Sequence, residues 1–191
     1  GVNMVKSVVL TESSDAVLRQ TAEALGFPVV MKVLSDDILH KTDLGCVYLN
    51  IQSVEEMRGA YGAILENARK NAPAARVQGI VVQQMLPKGF EVLLGVSTDP
   101  QFGQVLMVGL GGIYVELLKA VSMRVVPISW ADAEQMIDET PLKAACAGLR
   151  GVHYDREEIV EALLSLSKLC QQHPEIREVD VNPFILYGDR K

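Results

Sequence analysis

Near its C-terminus the sequence places Asp180-Val181-Asn182-Pro183 within Glu178-Val179-Asp180-Val181-Asn182-Pro183-Phe184. Residues two apart on a strand share a face. Asp180 and Asn182 would therefore present a carboxylate and an amide oxygen side by side, with Val179 and Val181 pointing into a core. Two hard oxygens, too few to enclose an ion, suit Mg²⁺ that keeps waters and shares a nucleotide's phosphates. The bland alternative is that an Asp and an Asn beside a Pro close a strand.

Lys32 lies inside the apolar run Pro28–Val33, where an unpaired ammonium is costly to bury. Either its stem snorkels to water at a sheet edge, or a phosphate oxygen compensates its charge at the mouth of a cleft. His40-Lys41-Thr42-Asp43, with Gly45 close behind, is either a solvated loop or a loop offering a nucleophilic imidazole and a phosphate contact. There Lys41, and Arg124 if the loop folds inward, favour a neutral imidazole, while Asp36, Asp37 and Asp43 pull the other way.

Gly109-Leu110-Gly111-Gly112-Ile113-Tyr114-Val115-Glu116 follows an apolar strand. It lacks the Gly-Lys-Ser/Thr ending of a P-loop, and Tyr114 breaks G-x-G-x-x-G. Its glycines either let backbone N–H groups approach an anion or form a bare turn. Glu91, at a strand start, and Arg124, inside an apolar strand, are the remaining isolated charges.

The elements that must position these groups alternate along the chain. Val5–Leu10 reads as a strand, followed by a Ser13/Ser14 cap and a helix that Gly26 and Pro28 stop. Strands are expected at Val29–Val33 and Val47–Ile51, with the polar loop Ser35–Asp43 between them. Ser53-Val54-Glu55-Glu56 has the form of a capping box, opening a long helix striped by Val54, Met57, Tyr61, Ile64, Leu65 and Ala68. Strands Gly79–Leu86 and Glu91–Val96 would be joined as a hairpin by Pro87-Lys88-Gly89. Further strands are expected at Val105–Leu110, Val121–Ile128 and the final Asp180 segment, with helices at 130–138, 141–149 and 155–172. Without strict βαβ alternation, the pattern predicts an α+β fold with antiparallel pairs.

Composition narrows the function classes. The 191 residues are 49% hydrophobic and carry a net charge of −6 with no basic stripe, which argues against a nucleic-acid surface. No apolar run is long enough to span a bilayer and no start resembles a signal peptide, so the expectation is a soluble cytoplasmic protein without a membrane partner. Cys46, Cys146 and Cys170, like His40, His153 and His173, are too dispersed for a disulfide framework or a zinc site. Gly1-Val2-Asn3-Met4 reads as a cloning remnant, so an excised piece of a larger protein is expected.

In order along the chain, Gly26-Phe27-Pro28-Val29-Val30-Met31-Lys32, the His40 loop, Gln83-Gln84-Met85, Gly89-Phe90-Glu91-Val92-Leu93-Leu94-Gly95, Phe102-Gly103, Gly111-Gly112-Ile113-Tyr114-Val115-Glu116, Arg124 and Asp180-Val181-Asn182-Pro183 resemble the ATP-grasp domain of ADP-forming acyl-CoA synthetases, relatives of succinyl-CoA ligase β subunits. The resemblance covers residues 5–190 and implies ATP held between two α+β lobes, about 5–85 and 86–190. It implies that Lys32 contacts ATP phosphates and that Gln84, Met85 and Leu86 line the adenine side. Glu91 matches the acidic residue of the following strand, and Lys41, Gly111, Gly112 and Arg124 complete the nucleotide-binding set. His40 would carry phosphate to or from the nucleotide. Asp180 and Asn182 would bind Mg²⁺, with Asp180 alternatively orienting the phosphohistidine. Lys32, Glu91, Asp180 and Asn182 are expected to converge on one cleft.

The implied cofactors are ATP/ADP and Mg²⁺. The implied partners are CoA-binding and ligase domains, or a subunit, through which a small acyl-CoA or carboxylate is handled. Cys46 departs from the family, which usually has a second glycine after Gly45. The alternative reading is a regulatory nucleotide- or acyl-CoA-responsive module of a protein lysine acetyltransferase.

Overall fold

A computed structural model describes residues 3–112, 120–148 and 151–188 of the chain. Two compact units divide between Pro87 and Lys88. The first, Asn3–Pro87, holds one antiparallel sheet of order β1-β4-β2-β3, made from Ser7–Leu10 (β1), Val29–Leu34 (β2), Val47–Ile51 (β3) and Gly79–Gln84 (β4). Two helices, α1 (Asp15–Leu25) and α2 (Val54–Asn71), cover one face of it.

The alternation of β2 explains that packing. Val29, Met31 and Val33 are buried in a core with Leu18 of α1 and with Met57 and Ile64 of α2. Each such side chain contributes about 1.5–3 kcal/mol on leaving water. Ser53 caps α2 by accepting from the Glu56 N–H at 3.1 Å. The reciprocal half of the expected capping box is displaced by one residue: Glu56 accepts from the N–H of Gln52, not of Ser53, at 2.8 Å.

The second unit, from Lys88 on, holds an antiparallel sheet of order β7-β6-β5-β8. Its strands are Phe90–Asp99 (β5), Gly103–Leu110 (β6), Val121–Val125 (β7) and Glu178–Leu186 (β8). Among the described residues its helices are α3 (Trp130–Asp138), α4 (Leu142–Gly148) and α5 (Arg156–Gln172). Val92, Leu94, Val96, Leu106 and Val108 form its core with Met136 of α3 and Ile159 and Leu163 of α5. Asp155 caps α5 by accepting from the Glu157 N–H at 2.8 Å.

The expected hairpin at Pro87-Lys88-Gly89 does not form. Both edges of β4 are occupied, by β1 and β2, which leaves β5 no edge to pair with. β5 instead pairs with β6 and β8 in the other sheet. Gly89 is a point of close approach to β8: a Cβ there would lie 2.6 Å from the Leu186 carbonyl oxygen.

Candidate nucleotide and phosphate site

In the Asn3–Pro87 unit, Lys32 lies on the sheet face away from the helices, in register with Val81 of β4 and Val47 of β3. It is the one charged residue in the four strands. Desolvation by its apolar neighbours, and then the charge of Lys41, push the Lys32 ammonium below its usual pKa. Among the described residues neither lysine forms an ion pair. A partly desolvated ammonium with a second cation near it and no carboxylate in ion pair with either favours an incoming anion.

The segment after β2 is tied down at both ends. Asp36 accepts from the Gln78 side-chain amide at 2.7 Å, Asp37 accepts from the Arg76 N–H at 2.8 Å, and Ile38 is buried. The Asp36 and Asp37 carboxylates, expected to act on the imidazole, are thus engaged elsewhere. Leu39 and His40 are exposed, and a tight turn follows. Gly45 N–H donates to Thr42 at 3.0 Å and Cys46 N–H to Lys41 at 2.8 Å. Gly45 has φ +66°, and Cys46, fully buried, fills the core beneath the turn. On α2, the side-chain amides of Asn67 and Asn71 donate to the carbonyls of Gly45 and Leu44 at 2.8 and 3.1 Å.

Gln84 ends β4 with its side chain exposed, and Met85 and Leu86 are half-buried. Their backbone is fixed by Gln84 N–H to Lys6 (3.2 Å) and Met85 N–H to Pro28 (2.9 Å).

In the second unit, Asp180 and Asn182 are exposed on the face of β8 away from the helices, while Val179 and Val181 pack on the core. Asp180 lies opposite Gly95. The pairs Leu94–Val181 and Val92–Phe184 enclose two residues of β8, Asn182 and Pro183, against Leu93 alone. This is a β-bulge, a device that re-aims side chains at a site. Glu91 is exposed farther along β5, in register with Ile185. Its carbonyl accepts from the Gly111 N–H at 2.8 Å. Gly112 has φ +64°, and a Cβ there would sit 2.6 Å from Glu91 Oε2. The glycine pair therefore rests against Glu91. The rest of that motif, Ile113 to Glu116, lies outside the described residues.

Arg124 is on the opposite side of this sheet. It pairs in register with the fully buried Leu106 and points to the helices, where Nη2 donates to Glu139 Oε1 at 2.5 Å. Ser122 Oγ donates to the other Glu139 oxygen at 2.5 Å. The hydrogen bond from Arg124, then that from Ser122, holds the Glu139 carboxyl below its usual range. The structure thus brings Glu91, Gly111 and Gly112 together and sets Asp180 beside Asn182, whereas Arg124 already has an anion of its own across the sheet.

Among the described residues no three of His, Cys, Asp and Glu gather as they would around an enclosed metal ion. One carboxylate and one amide oxygen, exposed together at the bulge, fit Mg²⁺ that keeps waters and takes further oxygens from phosphates. Sequence reasoning passed over Asn67, Asn71 and Glu139. Asn67 and Asn71 could have been noticed as two poor helix formers spaced one turn apart in the last turns of α2; nothing local marks Glu139.

The sequence matches the ATP-grasp domain family over residues 1–190. It is 45% identical over 166 residues to the beta subunit of acetate–CoA ligase [ADP-forming] I of Pyrococcus furiosus, covering 86% of this chain and 72% of that one. It is 43% identical to acetate–CoA ligase [ADP-forming] I of Archaeoglobus fulgidus, covering 86% of this chain but 24% of that longer one. The dinucleotide-forming acetyl-coenzyme A synthetase 1 of Ca. Korarchaeum cryptofilum, solved with coenzyme A and Ca-AMPCP, superposes with a TM-score of 0.89 at 40% identity, over 97% of this chain and 81% of that one. In another complex of that protein, with coenzyme A and Mg-AMPPCP, a phosphohistidine segment points towards the nucleotide-binding site (TM-score 0.80, 39% identity, 98% and 80% covered). The acetyltransferase-module alternative gains no support from these relatives. This chain belongs to the ATP-grasp domain family, as the domain found in ADP-forming acetate–CoA ligases.

Proposed function

We propose that the chain supplies the nucleotide and phosphoryl-transfer part of the reaction acyl-CoA + ADP + Pi ⇌ carboxylate + ATP + CoA. In the ATP-forming direction, the P–N bond of a phosphorylated His40 that carries a proton on its other ring nitrogen breaks as a β-phosphate oxygen of ADP forms the new P–O bond, and the imidazole leaves neutral, keeping that proton. Lys32 and Lys41 neutralise phosphate charge, Glu91 and the Gln84–Leu86 segment hold the nucleoside end, and Gly111, its N–H held by the Glu91 carbonyl, leaves the Gly112 N–H to approach the anion. Asp180 and Asn182 would hold Mg²⁺, which when bound neutralises phosphoryl charge. A contact from Arg124 to phosphate would require it to leave Glu139.

The observation that carries this reading is the pair Lys32 and Lys41, which among the described residues form no ion pair with an acid, Lys41 directly following the exposed His40. The beta-subunit relative and the longer single-chain ligase support CoA-binding and ligase domains, or a subunit, as partners. No helix among the described residues is long and apolar enough to cross a membrane, and the three thiols are free. Both fit the cytoplasmic setting we propose.

The test is to incubate the complete enzyme, with its CoA-binding and ligase domains, with Mg·ATP radiolabelled on the γ phosphate. An acid-labile, base-stable label that His40→Ala reduces or abolishes is expected. Undiminished labelling and turnover in His40→Ala would contradict the assignment.

A further inference from the structure

We propose that Asn67 and Asn71 are positioning residues for His40, acting as a two-point clamp on the turn that carries it. This inference rests on the reading of His40 as the phosphate carrier. Residues four apart on a helix lie on one face, one turn above the other. The two side-chain amides on α2 reach two consecutive carbonyls, Gly45 at 2.8 Å and Leu44 at 3.1 Å. Successive carbonyls of an extended chain point in opposite directions. Here both face the helix, and the left-handed backbone at Gly45 accompanies that turn.

Residue type at 45 is tied to the same contact, because a Cβ on Gly45 would lie 2.9 Å from Asn67 Nδ2. The platform is rigid: α2 is capped by Ser53 and buries Met57, Ile64 and Ala68. At the other end of the segment Asp36 and Asp37 are held by Gln78 and Arg76. Only the stretch from Leu39 to Asp43 lies between the two anchors. Its chain is closed on itself by the Lys41 carbonyl accepting from Cys46. A nucleophile held this way meets a phosphoryl group with its direction already set, whereas one on a free loop loses most attempts to misorientation.

The chemistry also explains why asparagine serves. The groups to be held are carbonyl oxygens, which need N–H donors, and a carboxamide supplies them without adding charge beside Lys41 and the phosphate.

The test uses the complete enzyme with Mg·ATP radiolabelled on the γ phosphate, in single-turnover labelling. Asn67→Asp and Asn71→Asp keep the side-chain shape while replacing the donor by an acceptor. Labelling of His40 is expected to slow roughly 10- to 100-fold in the double variant. The ATP concentration for half-maximal rate should rise by far less than labelling slows, because Lys32 and the metal ligands are untouched and only Lys41 moves with the turn. Asn71→Gln, which retains an amide donor at the exposed helix end, should recover most of the parent rate. Hydrogen exchange at the Gly45 and Cys46 amides should quicken in step with the loss of labelling.

Parent-like labelling in the double variant would overturn the proposal, whether or not exchange quickens. So would a loss of labelling matched by an equal weakening of ATP use. If the double variant does not fold, the exposed Asn71→Asp alone decides by the same readouts. Failure of the underlying reading is distinguishable, because His40→Ala would then label normally.

Discussion

Replacing Gly45 by alanine tests whether the turn that follows His40 is built as described. Two costs add. Gly45 has φ +66°, and an L side chain in the left-handed region costs about 1–2 kcal/mol. The new Cβ would also lie 2.9 Å from Asn67 Nδ2, closer than real Cβ contacts, so Asn67 must give up its 2.8 Å bond to the Gly45 carbonyl. A neutral hydrogen bond of this kind contributes about 0.5–1.5 kcal/mol net. The expected destabilisation is therefore about 1.5–3.5 kcal/mol, read from the urea midpoint at unchanged m value. Asn67→Ala alone loses the bond and should cost about 1 kcal/mol. In the Asn67→Ala background, Gly45→Ala should cost only the backbone part, giving a coupling of about 1 kcal/mol in the double-mutant cycle. A cycle additive to within about 0.3 kcal/mol would refute the reasoning.

Lys32→Met should raise stability near neutral pH while weakening nucleotide binding, since it removes a charge that folding desolvates. The sign follows from its lowered pKa: the folded state disfavours the ammonium, so the cost is present below the folded pKa and fades as pH rises through it. The parent should thus gain stability at alkaline pH relative to Lys32→Met; a destabilised Lys32→Met would contradict this. Glu139, held below the usual carboxylate range by Arg124 and then Ser122, contributes stability present above its unfolded pKa and lost as pH falls through the depressed folded value. Glu139→Gln should flatten the acid limb of the stability curve below about pH 4.3, and an unchanged limb would show the pair contributes nothing there. Cys46→Gly should cost about 1.5–2.5 kcal/mol through the lost buried side chain and added chain entropy; a neutral result in urea melts would contradict the packing described.

Most elements were legible because their signals are local. β3 runs from Val47 to Ile51 as its apolar residues suggest, and Asp180 and Asn182 share an exposed face as strand alternation requires. What failed depended on partners distant in sequence. Pro87-Lys88-Gly89 has good turn chemistry, yet hairpin formation is decided by whether β4 has a free edge, and β1 had taken it. Arg124 looked like an isolated charge because Glu139, its partner, stands at the end of a helix that the sequence does not mark as adjacent. Alternation gave the face of Asn182 but not the bulge, since the extra residue is visible only in the register against β5. The clamp on the His40 turn was invisible for the same reason: Asn67 and Asn71 contact carbonyls 22 and 27 residues away.

The proposed role of Asp180 and Asn182 at the β8 bulge is to hold the Mg²⁺ of a bound nucleotide. Calorimetric titration of the complete enzyme with Mg·ATP and Mg·ADP, in the parent and in Asn182→Ala, tests it most directly. Asn182 is exposed and outside the core, so the variant should melt like the parent. It should bind Mg·ATP at least about tenfold more weakly, about 1.4 kcal/mol, and the difference should vanish when Mg²⁺ is chelated. Equal Mg·ATP affinity in parent and variant, or parent binding indifferent to Mg²⁺, would contradict the account.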